Sequence, residues 1–248
     1  MNQKKISIIG AGLAGSECAY QLAKAGFKVD LYEMKPIKHT GASKTDNFAE
    51  LVCSNSLKSN DLLNACGLLK QELRELDSLI MKCADSCKVP SGNALSVDRN
   101  LFSEMITKEI KSNSNINVIN KVVEDFDFDG IVVIATGPLT DEKLAQNLAR
   151  KIGQDRLYFF DAVAPIVSKS SLDSERYFVG DRYGELDKGD YINCTMSKDE
   201  YDLFYNELIF AKTVELKDFE NEKVFEGCMP VEVMAKRGYK TLTFGPLK

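Results

Sequence analysis

Residues 6–15 read Ile6-Ser7-Ile8-Ile9-Gly10-Ala11-Gly12-Leu13-Ala14-Gly15, a short apolar run followed by glycines at the spacing Gly-x-Gly-x-x-Gly. The apolar run predicts a β-strand, the glycines predict a tight turn, and the residues up to Gly26 have the periodicity of a helix. A second strand is predicted over Val29-Asp30-Leu31-Tyr32-Glu33, which ends on an acidic residue. Strand, glycine turn, helix, strand and acid in this order are typical of a dinucleotide-binding fold.

Each part of this motif has a physical role in holding a pyrophosphate. Gly10 permits the tight turn, Gly12 lets the backbone approach the phosphates, and Gly15 allows close packing of the helix. The helix N-terminus favours anions, and Glu33 would accept hydrogen bonds from the adenosine ribose hydroxyls. A glycine turn that binds nothing is the alternative. We predict cofactor contacts from Gly10, Ala11, Gly12, Leu13, Ala14, Gly15 and Glu33.

The glycine motif alone does not distinguish FAD from NAD. Two features favour FAD: no second Gly-x-Gly-x-x-Gly occurs, and Ala135-Thr136-Gly137 ends a predicted buried parallel strand that begins at Ile131. That tripeptide resembles the Ala-Thr-Gly motif of flavoproteins with two dinucleotide-binding domains. We expect Thr136 and Gly137 to bring backbone close to the cofactor, whereas the alternative is a strand-ending turn, which Gly-Pro commonly marks.

The order of elements predicts an α/β fold with a doubly wound, Rossmann-like FAD-binding domain at residues 1–148. A further strand is expected over residues 116–123. Residues 149–248 have shorter, aromatic-rich segments and predict a smaller, inserted α+β domain on the substrate and RNA side. A long helix is predicted over residues 62–80, with one face buried by an apolar stripe. That stripe consists of Leu62, Cys66, Leu69, Leu73, Leu76 and Ile80.

The composition is that of an ordinary globular protein, with 44% hydrophobic and 28% charged residues among 248. It excludes collagen-like and low-complexity chains. A net charge of −5 makes bulk electrostatic binding of nucleic acid unfavourable, so any RNA contact must be local. The apolar stretch at the N-terminus is too short for a signal peptide or a membrane span, so we expect a cytoplasmic protein without membrane association.

The thiols and the single histidine, His39, limit the possible chemistry. Seven cysteines at irregular spacings argue against a disulfide framework. One histidine excludes a Ser-His-Asp or Cys-His centre unless His39 itself serves. Cys83 and Cys87 lie one helical turn apart, but no second pair follows at zinc-site spacing, so we expect packing and no metal.

Two cysteines stand in irregular polar segments instead of apolar stripes. Cys53 lies in Leu51-Val52-Cys53-Ser54-Asn55-Ser56, and Cys228 lies in Phe225-Glu226-Gly227-Cys228-Met229-Pro230. Such surroundings can lower the pKa of a thiol and leave it accessible. Taken singly, each is more readily explained as an inert thiol, and catalysis is the alternative for both Cys53 and Cys228.

These motifs resemble the bacterial TrmFO family of folate- and FAD-dependent tRNA (uracil-5-)-methyltransferases, relatives of the GidA flavoproteins. The resemblance covers nearly the whole chain, and the Val-Cys-Ser-Asn-Ser and Glu-Gly-Cys-Met-Pro segments are specific to it. Ser91 and Ser96 depart from the alanine that is usual in the family. The matching segments are residues 10–33, 51–59, 90–99, 135–137, 159–162, 190–194, 225–232 and 241–248.

The resemblance implies methylation of uridine C5 in RNA, at the T-loop uridine of tRNA. The one-carbon unit would come from 5,10-methylenetetrahydrofolate, and NAD(P)H would supply electrons through FAD. Uracil C5 becomes nucleophilic only after a thiolate adds at C6. We favour Cys228 as this nucleophile and Cys53 as a second thiol near the flavin, and the reverse assignment stays open.

Further contacts are expected from basic residues. On this reading Lys58 and Arg99 are candidate anion or cofactor contacts. The basic cluster near the end of the chain would contact RNA phosphates, although a solvated surface is the simpler expectation for any one member. That cluster is Lys236, Arg237 and Lys240.

Family members are markedly longer, so we expect a C-terminally truncated copy whose second domain is incomplete and whose FAD affinity is reduced. Two alternatives follow: a non-catalytic FAD- or nucleotide-binding remnant, and a paralogue that acts on rRNA uracil. A flavin oxidoreductase acting on a small molecule ranks last, since it leaves both cysteine segments unexplained. The choice between NADH and NADPH and the oligomeric state stay open.

Overall fold

The computed structural model describes residues 5–153, 167–181, 188–213 and 229–244. The chain divides into two compact units, Met1–Leu157 and Tyr158–Lys248. The boundary expected between residues 148 and 149 falls inside a helix, Glu142–Ile152, that lies wholly in the first unit. Within the described residues no helix combines the length and the apolar character needed to cross a bilayer.

The first unit alternates strands and helices. Its strands are β1 (Ile6–Ile9), β2 (Val29–Glu33), β3 (Ser56–Ser59), β4 (Lys88–Val89), β5 (Ala94–Val97), β6 (Ile116–Asn120) and β7 (Ile131–Ile134). Its helices are α1 (Leu13–Lys24), α2 (Ala65–Glu75), α3 (Leu79–Ser86), α4 (Arg99–Ser112) and α5 (Glu142–Ile152).

Four of these strands form a parallel sheet in the order β6-β2-β1-β7. Ile6 pairs in register with Val29 on one side and with Ile131 on the other. Because the strands are parallel, their carboxyl ends lie at one edge, and the glycine turn leaves β1 at that edge. This architecture, with fully buried Ile8 and Leu31 at its centre, confirms the predicted α/β class. A smaller antiparallel sheet has the order β3-β5-β4.

Two strand predictions need correction. The strand expected to be buried from Ile131 onward stands at the edge of the described sheet, and Ile131 is 48% exposed. The strand expected over residues 116–123 ends at Asn120. In both cases the apolar run gave the strand type correctly, whereas its ends and burial depend on which neighbours pair with it.

The single helix predicted over residues 62–80 is wrong, because α2 and α3 divide this region. Asp77 between them has a φ of 56°, in the left-handed region, which ends α2. The Ser78 hydroxyl then accepts a hydrogen bond from the Met81 N–H at 3.2 Å and caps α3. Glu17 of α1 fixes this break by accepting hydrogen bonds from the Ser78 hydroxyl at 2.8 Å and the Ile80 N–H at 2.9 Å.

The predicted buried face of this region is wrong for half of the stripe, although Leu73 and Ile80 pack against the core. Leu62, Leu69 and Leu76 are 57%, 57% and 68% exposed, and Cys66 is only half-buried. The buried residues of α2 are Gly67 and Lys70. The Lys70 ammonium donates hydrogen bonds to the carbonyl oxygens of Ser59 at 2.8 Å and Cys66 at 2.9 Å. The buried face of α2 therefore includes a hydrogen-bonded lysine as well as Leu73.

The described part of the second unit contains a short antiparallel pair and two helices. The strands are β8 (Phe178–Val179) and β9 (Ile192–Asn193), and the helices are α6 (Lys198–Phe210) and α7 (Val231–Lys236). Short 3-10 turns occupy Lys169–Ser171, Ser174–Arg176 and Leu242–Phe244. The Tyr205 hydroxyl donates to the Ala235 carbonyl at 3.0 Å and holds α7 on α6.

Candidate functional site

The glycine turn after β1 has the geometry that its spacing predicts. Gly10 has a φ of 97°, and its N–H donates to the Tyr32 carbonyl at 2.8 Å. A Cβ at Gly15 would lie 1.8 Å from the Gly10 carbonyl oxygen, so only glycine lets α1 pack directly on the turn. The turn is therefore held by a hydrogen bond to β2 on one side and by the close packing of α1 on the other.

A cleft of about 560 Å³ opens at the carboxyl ends of β1, β2 and β7. All of the predicted cofactor residues except Gly15 line it, and Gly15 lies behind the turn as a packing position. The same edge of a doubly wound sheet is where such folds bind dinucleotides. The structure thus brings together Gly10, Ala11, Gly12, Leu13, Ala14, Glu33, Thr136 and Gly137.

Glu33 is held by backbone groups on both sides. Its side chain is buried, with Oε2 accepting the Ala11 N–H at 2.8 Å and Oε1 accepting the Lys35 N–H at 3.1 Å. An ionised carboxylate offers about four lone-pair positions, so each oxygen can accept one further donor. Glu33 is therefore oriented before any ligand hydroxyl reaches it.

The loop from residue 36 to residue 50 supplies a second wall, which the sequence analysis did not predict. Lys35 is buried, donates from Nζ to the Asn47 carbonyl, and lies 3.6 Å from Glu50 Oε2. Glu50 Oε1 accepts the N–H groups of Lys44 at 2.8 Å and Thr45 at 3.1 Å. No local spacing marks this Lys35–Glu50 pair, because its members are far apart in a polar loop without periodicity.

An ion pair between Lys38 and Asp141 joins the loop of residues 36–50 to the start of α5. Asp141 also accepts the Lys143 N–H at 3.0 Å and caps α5. Burial acts to raise the pKa of the Asp141 carboxyl, but the Lys38 ammonium and the backbone amides of α5 outweigh it, so the pKa is lowered. Asp141 is therefore ionised at neutral pH and fixes the loop to the start of α5.

Cys53 lies just beyond this cleft. Val52 lines the cleft, and the exposed Cys53 follows it in the loop before β3. The Asn55 amide donates to the Val97 carbonyl at 3.1 Å and ties this loop to β5. Lys58 is exposed within β3 and Arg99 begins α4, and neither lines the cleft.

Cys228 lies outside the described residues. The description resumes at Met229, directly before α7. Three basic residues, all exposed, lie at the end of α7 and in the turn after it. They are Lys236, Arg237 and Lys240.

Cys83 and Cys87 are buried in and beside α3. Burial raises the pKa of the Cys83 thiol to about 11 and also raises that of Cys87. Both are protonated packing residues at neutral pH. Across the ranges that the structure describes, no three His, Cys, Asp or Glu side chains gather as a metal site.

Comparison with known proteins identifies the family. The GIDA family, "Glucose inhibited division protein A", matches residues 5–248. A protein of Acetivibrio thermocellus named "Methylenetetrahydrofolate--tRNA-(uracil-5-)-methyltransferase TrmFO" is 58% identical over 98% of this chain and 56% of its own length. The Bacillus subtilis protein of the same name is 55% identical over 100% of this chain and 57% of its own length. The chain thus spans little more than half the length of these relatives.

The structural comparison is weaker. A crystal structure of Aquifex aeolicus GidA covers 55% of this chain and 26% of its own, at 17% identity and a TM-score of 0.44. A likeness this low adds nothing to the family match. The sequence matches confirm the predicted kinship with the GidA-related proteins.

Proposed function

Because this chain belongs to the GidA family, we propose that it binds FAD and takes part in methylating C5 of a uridine in tRNA. The carbon donor would be 5,10-methylenetetrahydrofolate, and NAD(P)H would reduce the flavin. The observation that carries this proposal is the identity above 50% to proteins named as such methyltransferases, extending through the glycine turn and the Cys53 segment. We assign the T-loop uridine as the target.

The cleft supports FAD as the cofactor. Its volume of about 560 Å³ lies in the range of about 300–1,000 Å³ that small-molecule sites occupy. The first turn of α1 would offer backbone N–H groups to a pyrophosphate, while Glu33 would accept hydrogen bonds from an adenosine ribose. When bound, the reduced flavin would supply the hydride that completes the methyl group.

The thiols of this chain would activate the uracil. One thiolate forms a bond to C6, the resulting C5 carbanion forms a bond to the methylene carbon of the folate, and a base removes the C5 proton. Tetrahydrofolate then leaves, the exocyclic methylene accepts a hydride, and expulsion of the thiolate from C6 yields 5-methyluridine. We assign the attack on C6 to Cys228.

Cys53 would be the second thiol. Its exposed position beside the cleft-lining Val52 supports a role in proton or carbon transfer near the flavin. The exposed Lys236, Arg237 and Lys240 would contact RNA phosphates, which position the substrate without reading its sequence.

The assignment of the thiols is tested with tRNA that carries 5-fluorouridine. Fluorine at C5 cannot leave as the proton does, so the thiol adduct is trapped as a covalent protein–RNA complex. We expect the unmodified chain and Cys194→Ala, a control at an exposed cysteine, to form the complex in the presence of the folate and reduced FAD. Cys228→Ala should form none. Capture that persists in Cys228→Ala but disappears in Cys53→Ala would reverse the assignment.

A further inference from the structure

Glu50 carries a buried oxygen whose hydrogen-bonding capacity is unused. Its side chain is 12% exposed and lines the cleft beside the glycine turn. Two backbone N–H groups, from Lys44 and Thr45, bind Oε1 and fix the direction of the carboxylate. Oε2 is buried and has no hydrogen-bond partner among the described residues. Buried polar atoms are nearly always paired, so this oxygen requires a physical explanation.

The neighbouring Lys35 balances the charge without making this bond. Its ammonium stands 3.6 Å from Glu50 Oε2, within ion-pair range but beyond a normal hydrogen bond. The hydrogen bond from Lys35 Nζ goes to the Asn47 carbonyl instead. The Lys35 ammonium thus lies beside Glu50 Oε2, while this oxygen stays able to accept a donor.

The segments that carry Glu33 and Glu50 are both hydrogen-bonded to the backbone of Ala11 in the glycine turn. Glu33 accepts the Ala11 N–H, whereas the Ala11 carbonyl accepts the N–H of Ala49, the neighbour of Glu50. The Glu50 segment continues along the chain through Val52 to Cys53. Besides Asp141, the cleft therefore has a fixed carboxylate at the end of β2 and another in the segment that leads to Cys53.

We propose that Glu50 Oε2 accepts a hydrogen bond from a hydroxyl of the ribityl chain of bound FAD. A carboxylate accepts and does not donate, so the phosphate oxygens of the cofactor cannot be its partners. The adenosine ribose belongs to Glu33, which leaves the polyhydroxylated chain on the other side of the pyrophosphate for Glu50. This inference rests on the proposed FAD site.

The experiment compares the affinities of FAD and ADP for three forms of the full 248-residue chain, by calorimetric titration. Glu50→Gln keeps an oxygen for Lys44 and Thr45 but puts an amide in place of the free acceptor. Asp46→Asn is the matched control, since it removes one exposed negative charge from the same loop outside the cleft. We expect Glu50→Gln to weaken FAD about tenfold, the size of a lost charge-assisted hydrogen bond. ADP binding should stay unchanged, and Asp46→Asn should match the unmodified chain for both ligands.

Equal FAD affinity in Glu50→Gln and the unmodified chain would overturn the inference while leaving FAD binding intact. An equal loss for FAD and ADP would also overturn it, because the donor would then lie in the adenosine half. An unmodified chain that binds no FAD would refute the proposed cofactor itself, and this contact with it.

A ligand-side measurement covers the case in which Glu50→Gln does not fold. FAD analogues that lack single ribityl hydroxyls are titrated into the unmodified chain. One of them should bind about tenfold more weakly than FAD, since it leaves Oε2 unpaired. Equal binding of all analogues would overturn the inference.

Discussion

The glycine turn and the α2–α3 region each depend on a glycine that meets a backbone carbonyl. A Cβ would lie 1.8 Å from the Gly10 oxygen at Gly15, and 1.9 Å from the Asp61 oxygen at Gly67. The sequence pointed to Gly15 because its spacing belongs to a recognisable motif. Gly67 belongs to no such motif, and the leucines around it predict a buried stripe instead. The comparison teaches that the spacing of apolar residues predicts a helix, but that the face it buries also depends on close contacts such as the one at Gly67.

The largest expected effect is loss of stability on adding a methyl group at either glycine. Gly15→Ala and Gly67→Ala should each lower the free energy of unfolding by about 3 kcal/mol or more, because backbone must move to admit the Cβ. Gly41→Ala is the control, since a Cβ there meets nothing within 4 Å; it should change stability by less than about 0.5 kcal/mol. Urea unfolding measures all three. A Gly67→Ala variant as stable as Gly41→Ala would show that Gly67 does not set the face of α2.

The break between α2 and α3 should depend on Glu17. Its Oε2 accepts hydrogen bonds from the Ser78 hydroxyl and the Ile80 N–H, and its Oε1 accepts them from the Leu79 N–H and the Gln21 amide. Glu17→Gln keeps only one of these oxygens, so the donors to the other lose their acceptor. We expect a loss of about 1–2 kcal/mol. Glu75→Gln, at an exposed carboxylate that accepts from Gln71 on the same helix, should be nearly neutral. Equal melting temperatures for the two variants would contradict a role for Glu17 at this break.

In the cleft, Asp141 should make the free energy of unfolding depend on pH. Its folded-state pKa is lowered, so its contribution is fully present above the unfolded-state value of about 3.9 and is lost as the pH falls through the folded-state pKa. Asp141→Asn should therefore be less stable at pH 7 by about 0.5–1 kcal/mol, because the amide oxygen can still cap α5 but the charge that pairs with Lys38 is lost. The difference should shrink below about pH 4. A difference independent of pH, measured by urea unfolding, would show that the charge is not responsible.

The smallest expected effect concerns the exposed leucines. Leu69→Ala should change stability by less than about 0.5 kcal/mol, because Leu69 is 57% exposed. Leu79→Ala, at a fully buried position of α3, should cost about 2–5 kcal/mol. Similar losses of unfolding free energy at both positions, measured by urea unfolding, would show that Leu69 is buried as the periodicity predicts.

The motif around Gly10 made the first unit predictable because its information is local. Strand, turn, helix and Glu33 lie within 28 residues, from Ile6 to Glu33, and each has its own residue signal. The Lys35–Glu50 ion pair could not be predicted, since a pair that crosses a polar loop has no periodicity and no fixed spacing in the sequence.

The remaining differences have similar causes. Asp77, which divides α2 from α3, adopts a left-handed backbone conformation although it is not a glycine, so the sequence does not mark the break. The break is also stabilised by Glu17 on another helix, which binds the neighbouring Ser78 hydroxyl. The burial of β7 could not follow from its own apolar run, because burial depends on the neighbours that pair with it. The catalytic roles of Cys53 and Cys228 stay predictions.

The most direct test of the account is the visible absorption spectrum of the purified chain, before and after incubation with FAD and desalting. The account predicts flavin absorption bands that persist after desalting, because the glycine turn, Glu33 and the cleft are already in place. A colourless protein that retains no FAD under these conditions would contradict it.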